Sequence, residues 1–376
     1  MLDDGGPPDV GHDEHARRRS QARWVTPPLI HCDAGLLARE VAAIFRASGV
    51  SARAADVTAG LLVRSDARGY ETHGVSRVLS YVERLLDGSV TAQPRLGHEE
   101  VSGVLHVHGD GGLGQVVVSY AMDVAAELVV TRGALVCLIH DTGHLGALGV
   151  LLASAAERGL LTVLAQASAP VMAPEGAHGS AVGNNPIAFG CPLPDRPPVI
   201  FDMACSTTAR GKIISAKREG ELIPIGWAVD RMGRPTTDPG EGLLGMLLPA
   251  AGHKGLGLAI MIQFLAALLG GEGASGHPLE EGRARGATGH HAAFLLVINP
   301  ALVAGKEAFD IATVEWVDRF LATGARLPGQ RAALSEIERR SAGIPLSAAV
   351  VRDLQEASRL VGMTLNLDSY CAETHT

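Results

Sequence analysis

The chain has 376 residues, 47% of them hydrophobic and 19% charged, enough to bury a core of one large or two ordinary domains. Its formal net charge of −8 and the lack of a basic stripe interleaved with aromatics argue against a nucleic-acid binder and favour small-molecule partners. The five cysteines, Cys32, Cys137, Cys191, Cys205 and Cys371, are widely spaced with no C-x-x-C pair; neither a disulfide framework nor a thiolate metal site is signalled, which fits a reducing cytoplasm.

Residues 1–25 read as a disordered extension, polar, rich in glycine and proline, with an Arg17-Arg18-Arg19 run and no apolar segment of signal-peptide type behind it. From Asp33 to Gly49 the spacing of Leu36, Leu37, Val41, Ile44 and Phe45 predicts an amphipathic helix, with Asp33 as its cap and Gly49 as its stop. Ala54 to Val63 and Val78 to Leu86 repeat that helical spacing. Between them Ser65–Arg77, reading S-D-A-R-G-Y-E-T-H-G-V-S-R, gathers two arginines, two acids, three hydroxyls and a histidine. Arginine offers a planar fork to a carboxylate and histidine exchanges a proton near neutrality, so this stretch has the composition of a site. A solvated helix junction whose charges pair with one another is the alternative.

Val101–Val107 reads as a strand and Val116–Val130 as a helix, and the G-D-G-G-L-G between them matches the dinucleotide pattern G-x-G-x-x-G at Gly109, Gly111 and Gly114. The alternation of strand and helix is not sustained through repeated βαβ units, however. Leu135–Ile139 is a compact apolar strand that runs into H-D-T-G-H-L-G-A-L-G, which places His144 at a strand-to-helix turn where helix-start N–H groups favour anions. Val150–Arg158 reads as a helix and Leu161–Ala165 as a strand. The polar run Gln166–Asn185 reads as a functional loop, and Val199–Met203 as a strand bearing Asp202. His253 and Lys254 open the apolar segment Leu256–Leu269, which is too short to span a bilayer comfortably and reads as a buried helix; no membrane partner is expected. Phe294–Ile298 reads as a strand, and Glu315–Leu321 and Ala348–Leu360 as helices around a Pro328-Gly329 turn.

D-A-R-G-Y-E-T-H-G-V-S-R, G-H-L-G-A-L-G, G-N-N-P-I-A-F-G, F-D-M-A, L-L-P-A-A-G-H-K-G-L-G-L and L-P-G-Q, in that order, resemble the malate/L-lactate dehydrogenase family over about residues 30 to 365. The resemblance implies an α/β fold with a non-Rossmann nicotinamide-binding domain of largely antiparallel sheet, here 106–299, and a helical substrate and dimerisation domain, here 26–105 with 300–376. It implies NAD or NADP as cofactor, a homodimer, and hydride transfer on a small 2-hydroxy acid; the alternatives are a reductase of a cyclic imino acid or diketo sugar acid, or a non-catalytic family member that binds ligand. By the same resemblance His73 matches a proton donor with Asp202 holding it, and His144 matches a proton acceptor assigned in ureidoglycolate dehydrogenase. Arg77 matches a substrate-binding arginine. Ser168, Asp202, Met203 and Ala204 match nicotinamide contacts, His253 and Lys254 a cofactor contact, and Gly329, Gln330 and Arg331 a late cofactor loop. Thr72, Asn184 and Arg331 depart from the residues common there, and Glu272–Ala292, with Arg283 and Arg285, matches poorly.

The chemistry asks for such groups. Taking hydride from a hydroxyl-bearing carbon requires a base within hydrogen-bond reach of the hydroxyl, and histidine is the natural choice. Arg77 or Arg68, with Ser65 and Thr72 as further donors, would orient the substrate carboxylate. Histidine acting from His73 is the first expectation and from His144 the second. Paired histidines at His106/His108 and His290/His291 raise a metal site, but no acid or cysteine stands at zincin-like spacing, so no metal is expected.

Overall fold

A computed structural model describes residues 29–174, 176–177, 179–271, 291–365, 367 and 371–373. The extension 1–25 and most of Glu272–Ala292, including Arg283 and Arg285, lie outside the described residues.

Strand β1 (Ile30–Cys32) leads into helix α1 (Ala34–Ala47), whose N-terminus is capped as expected: the Asp33 carboxylate accepts the Leu36 N–H at 2.8 Å. Gly49 follows the helix end at φ 89°, a left-handed conformation that glycine adopts without steric cost. Helix α2 (Ala52–Ala67) and helix α3 (Val78–Leu86) flank two short 3₁₀ turns, Glu71–His73 and Val75–Arg77. Strands β2 (Gly97–Val101) and β3 (Val104–Gly112) form a hairpin over Ser102-Gly103, both at positive φ, so Val101 belongs to the strand before the turn and not to the one after it. Helix α4 (Gly114–Arg132) then crosses over to β4 (Ala134–Thr142), which lies parallel to β3. In the single crossover so formed, a Cβ on Gly109 would lie 2.5 Å from the Asp141 carbonyl oxygen, and one on Gly114 would lie 2.4 Å from that of His144. These glycines let two backbones pass, which is the reason for their spacing.

Helix α5 (Leu148–Glu157), strands β5 (Leu161–Ala167), β6 (Ile187–Leu193) and β7 (Arg196–Met203), and helix α6 (Arg210–Glu219) follow. Helix α7 (His253–Ala266) precedes β8 (His291–Ile298). The chain ends with α8 (Lys306–Ala322), α9 (Gln330–Ala342), β9 (Ile344–Leu346), α10 (Ala348–Leu360) and β10 (Cys371–Glu373). Strand β6 and helices α6 and α9 were not expected: Pro192 and glycine interrupt the first, and the two helices carry charge on most of their turns, which blurs their apolar face.

The larger sheet has seven strands in the order β2-β3-β4-β8-β5-β6-β7, parallel only between β3 and β4 and antiparallel at every other pairing. Helices α4 and α5 cover one face through Val117, Val118, Ala121, Leu148 and Leu152, against Leu105, Val107, Ile139, Leu295 and Val297. On the other face Ala259 and Ile262 of α7 pack against Ala165, Ala167 and Ala292. A separate core of Leu37, Ile44, Phe45, Leu62, Val78, Val82 and Leu354 joins α1, α2, α3 and α10 beside a three-stranded sheet β9-β1-β10. Truncating a fully buried leucine such as Leu152 in these layers costs about 2–5 kcal/mol.

Two expectations are corrected here. The α7 segment is not a buried helix: Ile260, Met261 and Phe264 are 44%, 41% and 60% exposed, because only every third or fourth residue reaches the sheet. Cys32 is disulfide-bonded, and Cys371 stands opposite it in the β1/β10 register. Strand pairing brings together residues that sequence spacing holds far apart, so the cysteine pattern no longer argues for a reducing compartment.

Candidate active site

Three pieces of chain meet at the end of the larger sheet. The first is the double 3₁₀ turn after α2, the second is the Gly143-His144-Leu145 exit from β4, and the third comprises the ends of β5, β6 and β7 with the segment after them. Between them lies a cleft of about 500 Å³ whose walls include Tyr70, Thr72, His73, His144, Ser168 and Asn184, with Asp202, Met203, Ala204, Thr207, Thr208 and Lys212 opposite.

His73 and His144 stack in this cleft with ring centroids 5.6 Å apart and planes 26° from parallel. Burial, with the Arg77 charge as a second cause, pushes His73 down to about 4. His144 is held well below its ordinary value by burial first, then by Arg77 and His73. Both imidazoles are therefore neutral at pH 7, and what each hydrogen-bonds decides which nitrogen carries the proton. His144 Nδ1 lies 2.8 Å from the Tyr81 hydroxyl, which accepts a hydrogen bond from Gln115 Nε2 at 3.2 Å. The same Gln115 amide donates to the Leu145 carbonyl at 3.2 Å, so the tyrosine and the β4 exit are clamped by one side chain that is 2% exposed. With Gln115 donating to its oxygen, the Tyr81 O–H is free to donate to Nδ1, which leaves the His144 proton on Nε2. His73 is oriented more loosely, through its Nδ1 at 2.9 Å from the Thr72 hydroxyl.

Asp202 does not hold His73. Its Oδ2 accepts the Gly149 N–H at 2.7 Å, at the first turn of α5, and burial pushes its carboxyl up to about 6. An acid at that helix start satisfies an amide that the helix itself leaves open, which explains the pairing chosen. Ser168 is fixed by the loop ahead of β6: its N–H donates to Asn185 Oδ1 at 2.9 Å and its hydroxyl to Asn184 Oδ1 at 3.1 Å. Asn185, fully buried at φ 23°, in turn donates to the Ala259 carbonyl of α7 at 2.9 Å.

Other expected residues stand elsewhere. Arg68, 4% exposed, pairs with Glu336 of α9 at 2.6 Å, in a network that Arg64 shares at 2.9 Å, so its charge is paired inside the protein. Ser65 donates back to the Leu61 carbonyl at 2.8 Å, as hydroxyls within helices often do. Arg77 donates from Nε to the Thr72 carbonyl at 2.6 Å and lines a second cavity behind the turn. His253 and Lys254 are exposed at the start of α7 and are not on the cleft wall. Gly329 packs on Ile200 at the edge of β7, where a Cβ would lie 2.9 Å from it; Gln330 accepts the Leu327 N–H at 3.2 Å; and Arg331 acts on the Tyr70 phenol through its charge. Sequence reading missed Tyr81, Gln115 and Lys212. The first two carry no motif of their own, and only the close packing of α3 and α4 at the β4 exit makes them partners of His144.

The fold is that of a class of dehydrogenases and reductases. A solved structure of Δ1-piperideine-2-carboxylate reductase from Pseudomonas syringae is 32% identical and superposes with a TM-score of 0.80, over 87% of this chain and 99% of that one. Sulfolactate dehydrogenase from Methanocaldococcus jannaschii superposes at a TM-score of 0.76, with 29% identity, over 91% of this chain and 99% of that one. In sequence the chain is 34% identical to a malate/(S)-sulfolactate dehydrogenase of Methanothermus fervidus, over 83% of this chain and 93% of that protein. Residues 33–355 match the family model described as Malate/L-lactate dehydrogenase, and the chain belongs to that family. Its members are NAD(P)-dependent, one relative being a (2R)-3-sulfolactate dehydrogenase (NADP(+)) from Chromohalobacter salexigens, 33% identical over 83% of this chain and 93% of that protein.

Proposed function

We propose that this chain transfers hydride between a nicotinamide cofactor and the second carbon of a small carboxylic acid, a 2-hydroxy acid in one direction and a 2-oxo or cyclic imino acid in the other. The observation that carries the proposal is the stacked pair of neutral histidines in one cleft, one of them with its Nδ1 fixed by Tyr81. The cleft suits a polar ligand, because Thr208 Oγ1 is buried on its wall without a hydrogen-bond partner. Ser168, Met203, Ala204 and Lys212 would hold the dinucleotide, which supplies the hydride when bound. The antiparallel run β8-β5-β6-β7 beside the cleft supports a nicotinamide site built without a Rossmann unit.

His144 is the acid–base group in this reading. A protonated His144 donates from Nε2 equally to a ketone oxygen or to an imine nitrogen, and in the oxidative direction the neutral imidazole takes that proton back from the substrate hydroxyl. Because the Tyr81 hydroxyl can also accept from Nδ1–H, the imidazole can present either a proton or a lone pair at Nε2. His73, without a carboxylate partner, contacts the same substrate atom or the ring, and Arg77 behind the turn provides the positive charge that favours a carboxylate. The exposed apolar residues Ile260, Met261 and Phe264 on α7 support a homodimer in which this helix face is covered by a second copy.

The test is a panel of malate, lactate, sulfolactate and ureidoglycolate with 2-oxo acids and cyclic imino acids, each with NAD(H) and NADP(H), followed by His144→Ala and His73→Ala under single-turnover conditions. The expected result is loss of the hydride step and of its pH dependence in His144→Ala, by about 10²–10⁴, with weaker substrate binding in His73→Ala. The opposite pattern would return the acid–base role to His73.

A further inference from the structure

Gly74 separates the two 3₁₀ turns and has no room for a side chain. A Cβ there would lie 2.0 Å from Asp66 Oδ1, 2.2 Å from its Cγ and 2.3 Å from Oδ2. The Asp66 carboxyl thus occupies the space that any other residue at position 74 would need. Its Oδ2 also accepts the N–H of the next residue, Val75, at 2.7 Å. Asp66 is 3% exposed in the last turn of α2, and its own carbonyl oxygen accepts Arg339 Nη1 of α9 at 2.7 Å. One residue, part of α2 and tied through its backbone to α9, therefore grips the chain with its carboxyl midway between His73 and Arg77.

We propose that Asp66 is a positioning residue of the active site: its carboxyl, seated against Gly74 and holding the Val75 N–H, fixes the turn that carries His73 and Arg77. The proposal rests on the reading that His73 meets the substrate and that the Arg77 charge behind the turn favours its carboxylate. A turn held from inside the protein keeps Arg77 at its distance from the histidines, and small displacements of such groups are costly in rate. Among the described residues, the charged groups facing this carboxyl are Glu71 on the same turn and Arg339 on α9, with Arg77, Arg218 and Glu219 around the cavity of about 310 Å³ that Asp66 helps to line. Burial outweighs the Val75 N–H and Arg339 and pushes the Asp66 carboxyl up to about 8, with Glu71 adding to the rise. The group is therefore protonated at neutrality and acquires its charge in mildly alkaline solution, at a cost to the folded turn. Because the folded value lies above the unfolded one, the stability from this group is complete in acid and is lost as pH rises through about 8.

The experiment compares the full chain with Asp66→Asn and Asp66→Ala in two measurements, kinetics across pH 6 to 9.5 and thermal unfolding across about pH 4 to 9.5. In steady-state kinetics the native substrate KM is expected to rise in the alkaline range. Asp66→Ala raises it by about tenfold or more throughout, with cofactor KM little changed, and Asp66→Asn restores most of what alanine loses while abolishing the alkaline rise. In thermal unfolding, the share of the native melting temperature due to this group falls between its ordinary value of 3.8 and about 8, where the carboxyl is charged only when unfolded, and levels off above; Asp66→Asn removes that share. An asparagine variant with the native pH dependence in both measurements, or an alanine variant with native substrate KM, overturns the proposal. The melting curves require no turnover: absence of activity on every acid sinks the proposed reaction, whereas a melting profile indifferent to Asp66→Asn sinks this inference.

Discussion

Replacing Tyr81 with phenylalanine removes one oxygen from the centre of the site and leaves the ring. Tyr81 is 5% exposed, its hydroxyl lies 2.8 Å from His144 Nδ1, and Gln115 donates to it at 3.2 Å. A buried neutral hydrogen bond is worth about 1 kcal/mol net, and an imidazole nitrogen left unpaired costs about 1–3 kcal/mol. Gln115 keeps its bonds to Leu145 and His144 carbonyls, so its share of the loss is small. The expected loss of stability is about 1–3 kcal/mol, read by urea unfolding. The kinetic consequence is larger in kind: nothing then selects the His144 tautomer with its proton on Nε2, and the turnover number should fall by about 10–100-fold with substrate KM little changed. Single-turnover oxidation of reduced cofactor, followed by its absorbance in H₂O and D₂O, should show the hydride step slowed and its solvent isotope effect increased. The decisive measurement is the double variant. If Tyr81 acts through His144, adding Tyr81→Phe to His144→Ala costs nothing further. Additive losses, or an effect confined to KM, would refute the relay.

Arg68→Ala should lower stability by about 1–3 kcal/mol, because it removes the most buried partner of Glu336 while Arg64 and Arg340 still pair with that carboxylate, and should leave substrate KM near native; a raised KM with native urea midpoint would restore Arg68 to substrate binding. Lys212 is the single cation on the described cleft wall, so Lys212→Ala should raise cofactor KM by about tenfold and exceed the effect of Lys254→Ala in fluorescence titration; the reverse order would move the phosphate contact to the α7 start. On the acid side, His73 is neutral when folded down to about 4, so the stability it contributes is complete above pH 6.5 and is lost as pH falls towards 4. Asp202, raised to about 6, acts with the opposite sign over nearly the same range, so the measurement is the difference between native and His73→Gln melting profiles; equal slopes from pH 4 to 6.5 would contradict the burial of His73. Phe264→Glu on the exposed face of α7 should yield monomers by light scattering, and an unchanged dimer would place the interface elsewhere.

Local signals in the chain decided several features without help from the fold. The Asp33 cap and the Gly49 stop, the apolar run of β4 and the helical spacing on either side of Ser65–Arg77 are set by interactions within a few residues, and all stand where those patterns put them. The composition of that stretch singled it out, and of its residues Thr72 and His73 line the cleft; the glycines around His144 were enough to place it at a strand exit. Tertiary structure decided the partners. Arg68 turns away to Glu336, 268 residues later; Asp202 takes Gly149 rather than His73; and Tyr81 reaches His144 across 63 residues. Strand order was equally unreadable, since β8, late in the chain, inserts between β4 and β5. The physical reason is the same throughout. A cap, a turn or an amphipathic face is stabilised by neighbours in sequence, whereas the partner of a buried fork, acid or imidazole is whichever complementary group the packed layers bring within about 3 Å.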